Sequence, residues 1–375
     1  MAKSIEIDRK KRLRDEPHKG HNRWHPDIAP VIEAAPGEEV TLETRDANDL
    51  QIHAGSTMKD LEQLDRTIAH QLTGPVYVKG AEPGDLLEIE YLDIRLERYG
   101  WTRFAPGGGF LPDLFDYHFV AHWDINAEYA TSPQLPGVRI PNGAFMGTAG
   151  LAPSHEQLIK WNAREMELLA RGGRVFPPTP AGAVPAGGKV ATEGLRTIPP
   201  RENCGNADVK QLTRGSKLFV PVPVPVAVDG ALYSVGDGHY AQGDSECCGT
   251  AIEMGATAVV RFRIHPGEAK AKNIVWPRFS HPGFFQDPKH GMPRNFIATM
   301  GMPITAEGRN EDCDISLAAR NAVIQMIQLL QERGWTREQA YVLCSVAVDL
   351  RVSNVVDVPN VTVSALLPED IFGRA

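Results

Sequence analysis

Pro83-Gly84-Asp85-Leu86-Leu87-Glu88-Ile89-Glu90 reads as a tight turn that launches a strand. Proline fixes φ and glycine accepts positive φ, so Pro-Gly fits the centre of a type II turn. The apolar/polar alternation after it has the period of a half-buried strand. Pro36-Gly37-Glu38-Glu39-Val40-Thr41-Leu42-Glu43 follows the same pattern, which local β-turn grammar explains without a true repeat. Gly74-Pro75-Val76-Tyr77-Val78 adds another short strand candidate. Across the 375 residues, 35 Gly and 29 Pro are scattered rather than clustered, which favours short strands joined by turns over long helices.

Outward from these strands, the spacing predicts a helix over Ser154–Arg171. Ser154 is its N-cap, Gln157 completes a capping box and Gly172-Gly173 ends it. The Pro/Ala/Gly-rich stretch 177–188 reads as a surface connector or lid. Lys217-Leu218-Phe219-Val220-Pro221-Val222-Pro223-Val224-Pro225-Val226 cannot be a regular central strand throughout, because its prolines remove ladder donors. An edge strand or an extended interface segment fits better. Near the end, Ile315, Ala318, Ala319, Ala322, Val323, Met326, Ile327 and Leu330 form one helical face, and Gly334 is placed to stop that helix. Thr336 with Gln339 caps a second helix running to about Asp349, and 352–363 returns to β-type sequence. The expectation is a mainly β chain with a C-terminal helix pair. It divides into a β-rich N-terminal domain (1–200) and a region (201–375) that carries the site motif and the C-terminal helices.

The composition, 42% hydrophobic and 23% charged, is that of an ordinary globular protein. With a net charge of −8 and no basic stripe, nucleic acid is excluded as an expected partner. The short run Arg9-Lys10-Lys11-Arg12-Leu13-Arg14 reads as solvated surface. Met1-Ala2-Lys3-Ser4-Ile5-Glu6 lacks an apolar h-region, and no window reaches the roughly 20 apolar residues that span a bilayer. The five cysteines show no paired metal spacing and read as thiols of a reducing compartment, the cytoplasm.

The chemistry concentrates in Gly236-Asp237-Gly238-His239-Tyr240-Ala241-Gln242-Gly243-Asp244-Ser245-Glu246. Asp237 and His239 are two apart, so an extended backbone points them to one face, and the same expectation applies to Asp244 and Glu246. The interleaved glycines permit tight turns and close backbone approach. Such a charged bend after an apolar segment needs its charges satisfied: a solvated Gly/Asp turn between strands is one way, and metal coordination, which takes carboxylates and an imidazole together, is another. Glu202-Asn203-Cys204-Gly205-Asn206-Ala207-Asp208 is a second acidic loop. Asp208 is an additional candidate ligand, and Asn206 is a candidate either to bind a substrate amide or to orient a carboxylate. The adjacent Cys247 and Cys248 keep a cysteine nucleophile as a rival, although Cys248–Glu253 reads as the start of a packed strand. His70 is a weaker site candidate.

These two loops resemble the acetamidase/formamidase family. So do Pro221-Val222-Pro223-Val224, Gly230-Ala231-Leu232-Tyr233-Ser234-Val235, Thr73–Val78, Gly80–Asp85, Phe145-Met146-Gly147-Thr148 and Asp349–Asp357. The resemblance runs almost end to end. It implies hydrolysis of short aliphatic amides to the acid and ammonia, and a mainly β fold with jelly-roll or sandwich and barrel-like parts. It also implies a homo-oligomer and a divalent metal, zinc. Carried over by position, the family's acids and histidine fall on Asp208, Asp237, His239, Asp244 and Glu246. On that basis Asp208, Asp237 and His239 are the expected metal ligands, Glu246 the general base, and Asn206 and Asp244 the substrate-binding residues. Cys204 and Ser245 depart from the pattern where glycine is usual, and Cys247 where an apolar residue is. A cysteine-dependent amidase and a non-catalytic amide-binding protein are the alternative readings.

Overall fold

The computed structural model describes residues 3–223, 230–283 and 295–373. Both Pro-Gly turns form, with Gly37 at φ 89° and Gly84 at φ 92°. They close through Glu38 N to Ala35 O (3.1 Å) and Asp85 N to Glu82 O (3.0 Å). The strands they launch, Glu39–Thr44 and Leu86–Leu96, flank a third, Ala256–His265, which runs antiparallel to both. Val260 lies opposite Val40 on one side and Tyr91 on the other. This trio forms the centre of a six-stranded sheet.

A larger sheet is built around Gly230–His239, whose ten residues are all buried. Phe145–Leu151 pairs along one edge of that strand and Leu72–Lys79 along the other. Beyond Phe145–Leu151 lies Cys204–Asn206, while Glu253–Met254 links Gly230–His239 to Tyr99–Phe104. The two sheets share one apolar core, in which the Tyr233 and Phe262 rings meet edge-on at 5.2 Å. Each sheet draws strands from both sides of residue 200.

The helices follow their local signals. His155–Ala170 carries both halves of the Ser154/Gln157 capping box, at 3.1 and 3.0 Å, and Arg337–Ala347 carries the same box from Thr336 and Gln339. Ile315–Glu332 buries Ala318, Ala322, Val323, Met326, Ile327 and Leu330 and packs on the sheet of Phe296–Gly301, Thr362–Pro368 and Asp349–Asn354. The chain is mainly β with this helix pair near its end. Among the described residues, no helix is long and apolar enough to cross a membrane.

Three local expectations change. Glu88 is buried in its strand rather than facing water, because Lys217 (2.6 Å) and His265 (2.7 Å) reach it from the strands on either side. Cys248–Ile252 is not a strand; the chain turns there, with Gly249 at φ 93°, and only Glu253–Met254 pairs. In the proline-rich run, Lys217–Phe219 has strand partners on both sides, and pairing ends at Pro221. Val224, Pro225 and Val226 lie outside the described residues.

Gly236 shows why the central strand carries glycine. A Cβ there would sit 2.2 Å from the carbonyl oxygen of Gln71 in the neighbouring chain segment. Gly236→Ala is therefore expected to lower stability by about 1–3 kcal/mol. Urea unfolding measures this, and an unchanged midpoint would contradict the close approach.

Candidate functional site

Asp237 interrupts the regular strand with φ 59°, between the paired residues Gly236 and Gly238. The strand register then places His239 opposite both Phe145 and Glu253. The His239 Nε2 atom lies 3.4 Å from Asp237 Oδ1 and 3.2 Å from Glu253 Oε2. None of these three buried atoms has a hydrogen-bond partner among the described residues. Asp208 Oδ1 is similarly unpartnered and lies 4.0 Å from His239 Nδ1. Two groups of converging donor atoms result, Asp208–His239–Glu246 and Asp237–His239–Glu253, and they share the imidazole.

The surrounding residues hold this arrangement. Gln242 donates from Nε2 to the Asp208 carbonyl (2.9 Å), which turns its Oε1 toward His239 Nδ1 at 3.1 Å. Nδ1 thus carries a proton, and the ring turns Nε2 toward Asp237 and Glu253. Asn206 Nδ2 donates to Asp208 Oδ2 at 2.9 Å. The Thr148 hydroxyl lies between Asn206 Oδ1 and Asp237 Oδ2. His70 Nδ1 approaches Asp237 Oδ2 at 3.2 Å. Gly147 leaves the space in the middle: a Cβ there would lie 2.6 Å from Asp208 Oδ1 and 2.9 Å from Asp237 Oδ2.

Burial dominates the electrostatics. It lifts the Asp208 carboxyl to about 7, against the pull of the His239 charge. It also raises Glu253, and with the Asp208 charge it raises Glu246 well above the ordinary range. Burial pushes Asp237 the same way, yet His70 and His239 hold that carboxyl well below its usual value. For His239, burial opposes the charged form, but Glu253 and Asp237 overcome it and raise the imidazole. Four carboxyl groups around two imidazoles, with bare acceptor atoms pointing at one another, fit a bound cation.

The site opens into a cavity of about 300 Å³ lined by His70, Asn206, Glu246 and Glu253. Trp101, Phe104, Phe176 and Ile198 supply apolar walls. The 177–188 segment behind Phe176 is tethered, since Arg23 donates to the carbonyls of Thr179 and Ala181, and Asn22 to that of Gly182.

Of the residues singled out in the sequence, Asp208, Asp237, His239, Glu246 and Asn206 come together here. Asp244 does not join them. Glu246 (φ 49°) and Ser245 (φ 147°) make a turn, not an extended run, so Asp244 and Glu246 part. Asp244 faces Gln211 (3.0 Å) and Lys210 (3.9 Å) instead. Glu253 is the residue that sequence reasoning missed; its only signal is the strand pairing that sets it opposite His239. Cys248 lines the cavity, but burial pushes its thiol up to about 12, and burial also holds the Cys247 thiol well above the ordinary range.

The profile of the Acetamidase/Formamidase family matches residues 6–374. An acetamidase of Mycolicibacterium smegmatis is 36% identical over 364 residues, covering 90% of this chain and 87% of the relative. A formamidase of Methylophilus methylotrophus is 35% identical over 392 residues, covering 99% and 94%. Among solved structures, a gamma lactamase from Delftia acidovorans superimposes with a TM-score of 0.92 at 35% identity, covering 99% of this chain and 93% of that one.

Gly147→Ala is expected to keep the sheet and to push Asp208, Asp237 and His239 apart. The His239 ring signals in an NMR spectrum should move while the thermal midpoint barely changes. Unmoved ring signals would contradict the contact.

Proposed function

This chain belongs to the acetamidase/formamidase family, and on that premise we propose that it hydrolyses short aliphatic amides of the formamide and acetamide type at a divalent-cation site, zinc in our reading. The observation that carries the reading is the convergence of Asp237 Oδ1, His239 Nε2 and Glu253 Oε2, three buried atoms without a hydrogen-bond partner among the described residues, beside the equally bare Asp208 Oδ1. Asp208, Asp237 and His239, joined by Glu253, would hold the cation. When bound, such an ion supplies Lewis acidity, polarising a carbonyl and making a nearby water a stronger acid.

The chain's own groups divide the remaining work. Glu246 lines the cavity with a carboxyl whose proton affinity burial has raised, which suits a general base. It accepts a proton from water as the water oxygen bonds to the amide carbon. Glu246 then returns that proton to the nitrogen as the C–N bond breaks, releasing ammonia and the carboxylic acid. Gln242 fixes the His239 ring, and Asn206 fixes Asp208. The aromatic walls keep bulk water from the reacting carbonyl. We assign Asp244 no contact with substrate. The free state of all five cysteines supports the expected cytoplasmic address.

Ammonia release from formamide, acetamide and longer amides, with metal analysis of the same sample, tests the reading; no ammonia from any of them would sink it. Glu253→Gln is expected to lower bound metal at least tenfold. A chelator should lower both activity and the melting temperature, with recovery on adding the metal back. Cys247→Ala and Cys248→Ala should keep most of the activity, whereas a cysteine nucleophile requires loss in one of them.

A further inference from the structure

The cavity contains more than short neutral amides need. At about 30 Å³ of liquid per water, its volume corresponds to roughly ten waters, far more than a one-carbon amide displaces. Two of its lining residues, Arg66 and Arg103, are cations. Arg103 sits on the strand Tyr99–Phe104 opposite Val120, and its guanidinium stands 5.9 Å from the Trp101 ring. Its Nε is buried without a hydrogen-bond partner, and among the described residues its side chain makes no hydrogen bond and no ion pair.

Elsewhere each buried guanidinium group makes at least one hydrogen bond through its side chain, although the Nε atoms of Arg23 and Arg196 are also without a partner among the described residues. Arg201 grips Glu165 through two bonds of 2.6 and 2.9 Å, and Arg45 meets Glu16 at 2.6 Å. Arg23 donates to the carbonyls of Asn22, Thr179 and Ala181. Arg103 is different: its neighbours include a second cation, Arg66, and His118, whose Nδ1 is buried and unpartnered. Burial and the Arg66 charge together bring the Arg103 guanidinium down to about 10, with Glu253 pulling the other way. Two guanidinium groups in one cavity, neither hydrogen-bonded to a carboxylate among the described residues, favour an anion between them, while Glu246 and Glu253 line the same cavity.

We propose that this cavity selects amides whose far end carries a carboxylate, with Arg103 as the anion-binding group and Arg66 assisting at the rim. The planar guanidinium presents paired N–H donors that match a carboxylate. The inference rests on the amide-hydrolysis reading above. The substrate class is the ω-amide of a short dicarboxylic acid, and water converts it to the dicarboxylate and ammonium.

The test compares succinamate with pentanamide, a neutral amide of similar length, through kcat/KM for ammonia release in the wild type, Arg103→Gln, Arg103→Lys and Arg66→Gln. Calorimetric binding of succinamate to each accompanies the kinetics. The wild type is expected to prefer succinamate at least tenfold. Arg103→Gln should lower that preference at least tenfold, Arg103→Lys should restore part of it, and added salt should raise KM for succinamate alone. A merely structural arginine would not move the preference ratio. Ammonia from acetamide with no preference for succinamate, or a ratio unchanged in Arg103→Gln, overturns the proposal and leaves amide hydrolysis standing. No ammonia from any amide, with succinamate binding that still depends on Arg103, keeps the anion site and overturns hydrolysis; absence of both overturns both. Should Arg103→Gln fail to fold, the exposed Arg66→Gln and the wild-type preference decide.

Discussion

Asp208, Asp237, Glu246 and Glu253 bring four carboxyl groups into a buried space whose resident bases are His70 and His239. Left to themselves these groups would separate or take up protons, since unpaired buried charge is strongly destabilising. They stay together because each is fixed to a different part of a closed framework. Asp237 and His239 belong to the central strand, Glu253 to its neighbour, and Asp208 to the chain just past Cys204–Asn206. The sheet supplies the restraint, and the crowding leaves two groups of side chains that could hold a positive ion.

Backbone shape is part of that restraint. His70, Asp208, Asp237 and Glu246 all adopt left-handed conformations, with φ between 48° and 59°. Such conformations cost about 1–3 kcal/mol each in non-glycine residues and persist where the surroundings impose them. Cys204 and Ser245 fall in the same class, at φ 74° and 147°. Both stand where the family resemblance leads one to expect glycine, which accounts for the usual residue at those positions: only glycine takes such angles without strain.

Legibility followed the range of the interactions. The Pro-Gly turns and the two capping boxes are closed by residues two or three apart, so the sequence displays them in full. Asp237, His239 and Glu246 were legible as a dense polar bend, and Asp208 as part of a second one. Glu253 was not, because nothing near it in sequence marks it; it becomes a site residue only through its register opposite His239. Asp244 shows the converse: a two-residue spacing predicts that it shares a face with Glu246 on extended backbone, whereas Ser245 and Glu246 bend the chain and part the two. His70 drew weak notice because its partner, Asp237, lies far along the chain. Arg103 offered no local pattern at all.

The position of Ala256–His265 between Glu39–Thr44 and Leu86–Leu96 bears on how the molecule is made. A ribosome adding about 5–20 residues per second finishes the two outer strands well before the one that joins them. During that interval both nascent strands present open edges, which are templates for pairing with other chains. Newly made N-terminal segments of this protein are thus the species most in need of chaperone protection, and their exposure ends when the middle strand emerges and is seated.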